Sequence, residues 1–135
     1  MIQSVDSVKL LNEINKRAAG IEKVQKVLLQ INIGKEPQKS GLDLGDVEKV
    51  LIHANELQNV KVIGFMCIPP YVDFNKRSTF FRAMKFIFEE MKSKNFSNVD
   101  LKVLSMGMSG DYNYALGEGT TMVRIGTFIF GERAY

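Results

Sequence analysis

Short β-rich apolar runs alternate with amphipathic helical stretches along this chain, and that alternation limits the fold more than any other feature. Val27-Leu28-Leu29-Gln30-Ile31-Asn32-Ile33 is nearly continuous in apolar residues, as a strand covered on both faces should be. Val62-Ile63-Gly64-Phe65-Met66-Cys67-Ile68 repeats the pattern and is stopped by Pro69 and Pro70. Met1 to Val5, Leu101 to Leu104 and Met122-Val123-Arg124-Ile125 read as shorter strands. Between them, Val8, Leu11, Ile14 and Ala18 keep helical spacing behind a cap at Asp6 or Ser7, with Gly20 as a stop. Val47, Val50, Leu51, Ala54 and Leu57 do the same behind Asp43, after a polar loop from Gly34 to Gly41. After Asn75 a longer helix sets Phe80, Met84, Ile87, Phe88 and Met91 on one stripe, with Arg82, Lys85, Glu89 and Lys92 opposite. A short helix is expected after Asp111.

The order β-α-β-α-β-α-β-α-β implies parallel strands joined by helical crossovers. Five strands suit an open doubly wound sheet or a segment of a (β/α)8 barrel. A whole barrel takes about 250 residues, whereas this chain has 135 and cannot close one alone. With 45% hydrophobic residues and no linker, residues 1–135 read as one soluble domain with its own core. One Cys excludes a disulfide framework and multi-Cys metal sites, and His53 as the only histidine excludes His-rich ones. No apolar run approaches the roughly 18 residues of a membrane span, and the first residues lack the pattern of a signal peptide. The net charge of +3 is spread among interspersed acids and bases, so no nucleic-acid-binding stripe is expected. A cytoplasmic protein acting on a small molecule is the starting expectation.

In parallel α/β folds ligands bind at the carboxyl ends of strands, which directs attention to two segments. Ser105-Met106-Gly107-Met108-Ser109-Gly110-Asp111 leads from a strand into a helix, placing Ser109 near a helix N-terminus that favours anions. The simpler alternative is that Ser109 or Asp111 only caps that helix. After the last strand, Gly126 allows close approach to the backbone, Thr127 adds a hydroxyl, and Arg124 brings a permanent charge. Together these two strand ends would form a phosphate cup. His53 flanks an apolar stripe and reads as a rim residue, and Cys67 reads as a small buried hydrophobe. Glu36, Asp111 and Glu118 are carboxylates whose mutual distances the sequence does not set, and no P-loop, GxGxxG or HExxH pattern occurs.

Longer motifs add a family resemblance. Leu104 to Asp111, Gly119-Thr120-Thr121-Met122-Val123-Arg124-Ile125-Gly126-Thr127 and Ile129-Phe130-Gly131-Glu132-Arg133 resemble the C-terminal signature of the pyridoxal phosphate homeostasis protein family. Ser4-Val5-Asp6-Ser7, Gln30-Ile31-Asn32-Ile33 with Glu36, Lys39, Ser40 and Gly41, and Gly64-Phe65-Met66-Cys67-Ile68-Pro69 resemble its internal motifs in the same order, so the match runs from Ser4 to Tyr135. The resemblance implies a barrel like the N-terminal domain of alanine racemase, carrying pyridoxal 5′-phosphate (PLP) and serving cofactor and amino-acid homeostasis without established catalysis. It implies that Ser109, Gly126 and Thr127 hold the cofactor phosphate and that Arg124 stands beside the pyridine nitrogen.

The family binds PLP through a lysine on an early strand, upstream of the position matching Ser4, and this sequence holds no counterpart. Lys26, Lys61 and Lys102 each precede a strand, at the amino end, and Lys35 and Lys39 lie on a loop. The family carries a loop lysine at the Lys39 position without using it for that bond. The expectation is a parallel-stranded partial (β/α)8 barrel, about the last five βα units with the first strands missing. It would leave open edges near Ile2 to Val5 and Met122 to Ile125 and an uncovered apolar interior. The expected partners are PLP and either a missing N-terminal fragment or a second copy joined through those edges. A racemase-type PLP enzyme and a non-PLP phosphate-binding module are the alternatives.

Overall fold

Five parallel strands pair in the order in which they occur in the chain, β1-β2-β3-β4-β5. The computed structural model describes residues 1–132; Arg133, the last residue of the resembling motif, and Tyr135, where the match ends, lie outside the described residues. The elements are β1 (Ile2–Val5), α1 (Val8–Ala19), β2 (Gln25–Gln30), α2 (Val47–Asn55), β3 (Val60–Met66), α3 (Phe74–Ser93), β4 (Val99–Met108), α4 (Tyr112–Gly117), β5 (Met122–Arg124) and α5 (Thr127–Phe130). Each of β1 to β4 is followed by a helical crossover that returns the chain to the same end of the sheet, which is what parallel pairing requires.

Local signals explain most of the boundaries. The Ser7 hydroxyl accepts from the Leu10 amide and starts α1, and the Asp73 carboxylate accepts from the Lys76 amide and starts α3. Asp43 makes no side-chain cap; it precedes a 3-10 turn, Leu44–Asp46, from which α2 continues, and Leu57 falls beyond that helix. The buried stripe of α3 is Arg77, Phe81, Met84, Phe88 and Met91, with Phe80 and Ile87 only flanking the core. β4 extends to Met108, four residues past the expected end, because its neighbours on both sides supply ladder partners: Met66 pairs with Ser105, and Arg124 with Met108. Gly107 lies in this extension at φ 91°, and a Cβ there would come within 2.7 Å of the Ala115 side chain, so glycine lets α4 pack onto the strand. The four-residue α5 has no counterpart in the sequence reading.

The sheet is strongly curled. Flat, its first and last strands would lie about 19 Å apart, four spacings of about 4.8 Å. Yet the Gln3 amide nitrogen on β1 lies 3.4 Å from the Met122 sulfur on β5, and the Ser105 hydroxyl on β4 donates to the Gln3 carbonyl oxygen at 2.8 Å. The helices cover the convex face, where Leu11, Leu51, Phe81, Met84 and Phe88 meet Val27, Leu29, Phe65 and Leu104. Phe65 and Phe88 meet edge to face at 5.9 Å, a pairing worth about 0.5–1.5 kcal/mol beyond area burial.

Leu28 alternates with Val27 and Leu29, so it faces the inside of the curve, where it is 0% exposed. This corrects the expectation of an uncovered apolar interior: curling covers Leu28 and Met66, and Gln3, Ser105 and Arg124 make the neighbouring concave surface polar. Exposed apolar side chains do form a run on α5, at Phe128, Ile129 and Phe130. Among the described residues β1 pairs only with β2 and β5 only with β4, leaving two single-sided edges. No helix of the described residues is long and apolar enough to cross a membrane.

Candidate functional site

At the carboxyl ends of β4 and β5 lies a cavity of about 640 Å³ whose wall includes Ser109, Gly110, Arg124, Gly126, Thr127 and Phe130. The structure thus gathers all four residues singled out at the two strand ends. Ser109 is turned away from the helix it was expected to adjoin. Its hydroxyl oxygen accepts from the Gly126 amide at 3.2 Å and, more weakly, from the Phe128 amide at 3.5 Å, linking the loop after β4 to the first turn of α5. Gly126 has φ −116°, open to any residue, and a Cβ placed on it would meet no protein atom within 4 Å. Space beside the backbone, and not conformation, is what glycine provides there. Thr127, next in the chain, is exposed at the same wall.

Arg124 enters the cavity from β5 with its guanidinium half-buried. One terminal nitrogen donates to the Ser105 hydroxyl at 2.8 Å and the other to the Cys67 carbonyl oxygen at 3.0 Å. Among the described residues no carboxylate lies within ion-pair distance of it, so neutral groups hold this charge. Burial lowers its pKa, opposed by the nearby Cys67 and Asp111, and an arginine so placed stays charged. Cys67 is buried in the core as expected, and burial pushes its thiol up to about 12, with Arg124 opposing the shift.

Arg77 and Asp111 form the buried support of this site, which the sequence reading missed. Arg77 donates to Asp111 at 3.2 Å and to the Val72 carbonyl at 2.9 Å, and its guanidinium stands 5.2 Å from the centre of the Tyr71 ring. The other Asp111 oxygen accepts from the Met108 amide at 2.7 Å. Asp111 occupies the cap position of α4 without capping it, and instead clamps the loop carrying Ser109. A signal was available: Arg77 falls four residues before Phe81 on the apolar stripe of α3, and a charge on a buried stripe implies a buried partner.

The remaining candidates separate. Glu36 pairs with Lys39 at 2.6 Å, Glu118 with Arg82 at 2.6 Å and Asp111 with Arg77, so the three carboxylates each have a cation of their own and do not meet. His53 bridges to Asn12 of α1 at 2.6 Å, a rim contact. Asn32 organises the Gly34 to Gly41 loop, donating to the Glu36 carbonyl and accepting from its amide. Lys26, Lys61 and Lys102 lie within β2, β3 and β4, not before them, but still toward the amino ends and away from the cavity. Lys39 spends its ammonium on Glu36 and the Pro69 carbonyl. Among the described residues no lysine lines the cavity.

Comparison with known proteins agrees with this architecture. Residues 1–134 match the alanine racemase N-terminal domain. The pyridoxal phosphate homeostasis protein of Aquifex aeolicus is 42% identical over 137 residues, covering 100% of this chain and 59% of that protein. The protein of the same name from Escherichia coli K12 is 34% identical, covering 98% of this chain and 56% of its own length. The chain therefore spans somewhat under three fifths of these curated relatives. PipY of Synechococcus elongatus PCC7942, solved with PLP bound, is 31% identical and superimposes with a TM-score of 0.85 over 96% of this chain and 60% of PipY. Without PLP the same protein gives a TM-score of 0.89. The chain belongs to the alanine racemase N-terminal domain family, among the relatives of the pyridoxal phosphate homeostasis proteins.

Proposed function

We propose that the cavity at the ends of β4 and β5 binds PLP and that the chain acts in intracellular PLP and amino-acid homeostasis as a non-catalytic carrier or regulator. The observation that carries this reading is that Ser109, Gly126, Thr127 and Arg124 line one cavity, with the Ser109 hydroxyl held in place by the Gly126 and Phe128 amides. These groups fit a phosphorylated ligand. The Ser109 hydroxyl accepts from two amides and so keeps its own proton to donate to a phosphate, and the absence of a Cβ at Gly126 leaves room beside the backbone for it. The cavity volume is within the usual range for small-molecule sites. Relatives named for PLP homeostasis and a PLP-bound structural neighbour support the choice of ligand.

In this reading Ser109, Gly126 and Thr127 hold the phosphate, and Arg124 supplies a permanent cation. When bound, PLP supplies an aldehyde conjugated to an electron-withdrawing pyridine ring. A cation fixed by neutral partners opposes protonation of a ring nitrogen brought against it, which weakens the ring as an electron sink. That suits holding the cofactor more than carbanion chemistry. The five βα units correspond, on this proposal, to the last five of an eight-unit barrel. The single-sided edges of β1 and β5 are where a strand-bearing fragment or a second copy would pair.

The test is a titration of the chain with PLP and with pyridoxal, followed by absorbance. Saturable binding of PLP that Ser109→Ala weakens, with pyridoxal binding at least about tenfold more weakly (about 1.4 kcal/mol), supports the proposal. Equal binding of the two ligands, or none of PLP, overturns it.

A further inference from the structure

Arg124 is the long, flexible side chain of a three-residue edge strand, yet its guanidinium is held at two defined points. One is the Cys67 carbonyl, itself fixed because the Cys67 amide donates to the Ser105 carbonyl at 3.1 Å. The other is the Ser105 hydroxyl, which can rotate. A serine hydroxyl has one proton, and the direction in which it donates decides where its lone pairs point. Here the proton goes to the Gln3 carbonyl oxygen at 2.8 Å, turning the lone pairs toward Arg124. The amide end of Gln3 is in turn set against the Met122 sulfur. The series runs one way, from Arg124 through Ser105 to Gln3.

We infer that Gln3 is a positioning residue for Arg124: acting through Ser105, it fixes the guanidinium at the cavity wall. The inference rests on the PLP reading only for its effect on the ligand. Gln3 acts on the cation from the opposite edge of the sheet, across the concave face, with Ser105 between them. Because no carboxylate neutralises Arg124 among the described residues, the series orders the charge without cancelling it. A neutral amide is the suitable terminus, since an acid at position 3 would hold the guanidinium equally well while opposing an anionic ligand.

Gln3→Met, of similar volume and without the acceptor, tests this, with Ser105→Ala as the second interruption and Arg124→Met as the reference. Nitrogen-15 NMR of the ligand-free chain reads the positioning directly. Resolved Arg124 terminal-nitrogen signals, absent in Arg124→Met, should average in both Gln3→Met and Ser105→Ala. With PLP, Gln3→Met should weaken binding several-fold. It should also move the pH titration of the bound chromophore upward toward the Arg124→Met value, since a neighbouring cation holds a protonation down. The double variant Gln3→Met/Arg124→Met should bind no more weakly than Arg124→Met alone, as for two residues acting in series. Unchanged Arg124 signals in both interruptions, or additive losses in the double variant, overturn the inference. Averaged signals without any PLP binding by the unaltered chain support the positioning and overturn the function proposed above. If Gln3→Met fails to fold, Ser105→Ala decides by the same readouts.

Discussion

Arg77 and Asp111 form a 3.2 Å ion pair in which the residues are only 8% and 5% exposed, and it fastens α3 to the loop between β4 and α4. The pair stands behind the cavity, not in it. Its importance lies in what each partner would become alone, since a charge left buried without its counterpart is far more costly than the pair is favourable.

Arg77→Met should therefore destabilise the fold by about 3–5 kcal/mol, measured by urea unfolding. Arg77→Met combined with Asp111→Asn should recover a large part of that loss, because no bare charge remains buried. A double variant as unstable as the single one would show that packing of Arg77 against the Tyr71 and Phe74 rings, 5.2 and 5.3 Å from its guanidinium, and not charge, sets the cost.

At Gly126 stability and binding should part company. Gly126→Ala adds a methyl group where no protein atom lies within 4 Å, so thermal unfolding should shift little, within about 0.5 kcal/mol. PLP affinity should fall at least about tenfold because the added methyl takes the space on the cavity wall that the phosphate would approach.

Ser109→Ala removes the acceptor shared by the Gly126 and Phe128 amides. Hydrogen exchange at those two amides should accelerate well beyond that in β3, where only the general loss of stability acts, about 1 kcal/mol, the usual net value of such a bond. Equal acceleration throughout the sheet would mean that Ser109 supports more than α5.

Cys67 gives the chain an alkaline liability. Its thiol ionises near 9.0 when unfolded and is pushed by burial to about 12 when folded. Between those values the unfolded chain releases a proton that the folded chain retains, so stability present below pH 9 declines as pH rises toward 12. Denaturant melts from pH 8 upward should show a smaller alkaline loss in Cys67→Ala than in the unaltered chain. Parallel curves would refute the assignment.

With no lysine on the cavity wall among the described residues, borohydride treatment of the PLP complex should leave no lysine stoichiometrically modified. Peptide mass spectrometry provides the check. Full labelling at Lys39 would show that its pairing with Glu36 yields to the ligand.

Much of the architecture was legible because it depends on periodicity. The apolar runs around Leu28 and Phe65, doubly covered in the structure, could only be interior parallel strands, and the spacing of Val50, Leu51 and Ala54 fixed a helix face. Ser109, Arg124, Gly126 and Thr127 could be grouped because strand ends in a parallel sheet share one side. Orientation was not legible. Whether Ser109 serves α4 or α5 depends on a four-residue helix too short to leave a periodic trace, and the union of Gln3 with Ser105 depends on curvature, which no local pattern encodes. Arg77 lies between these cases: its position on the stripe was visible, but its partner was 34 residues away.

The curl has a kinetic corollary. Each ladder joins a strand to the next one in the chain, so the sheet can grow through loops of modest length. The Gln3–Met122 and Gln3–Ser105 contacts span 119 and 102 positions and reward the chain only after every intervening ladder exists. They should be absent from the folding transition state, so that Gln3→Met speeds unfolding while leaving the folding rate nearly unchanged. On that order of events the proposed PLP site is the last part of the molecule to mature, and stopped-flow refolding in the presence of PLP should show the cofactor signal trailing the backbone signal.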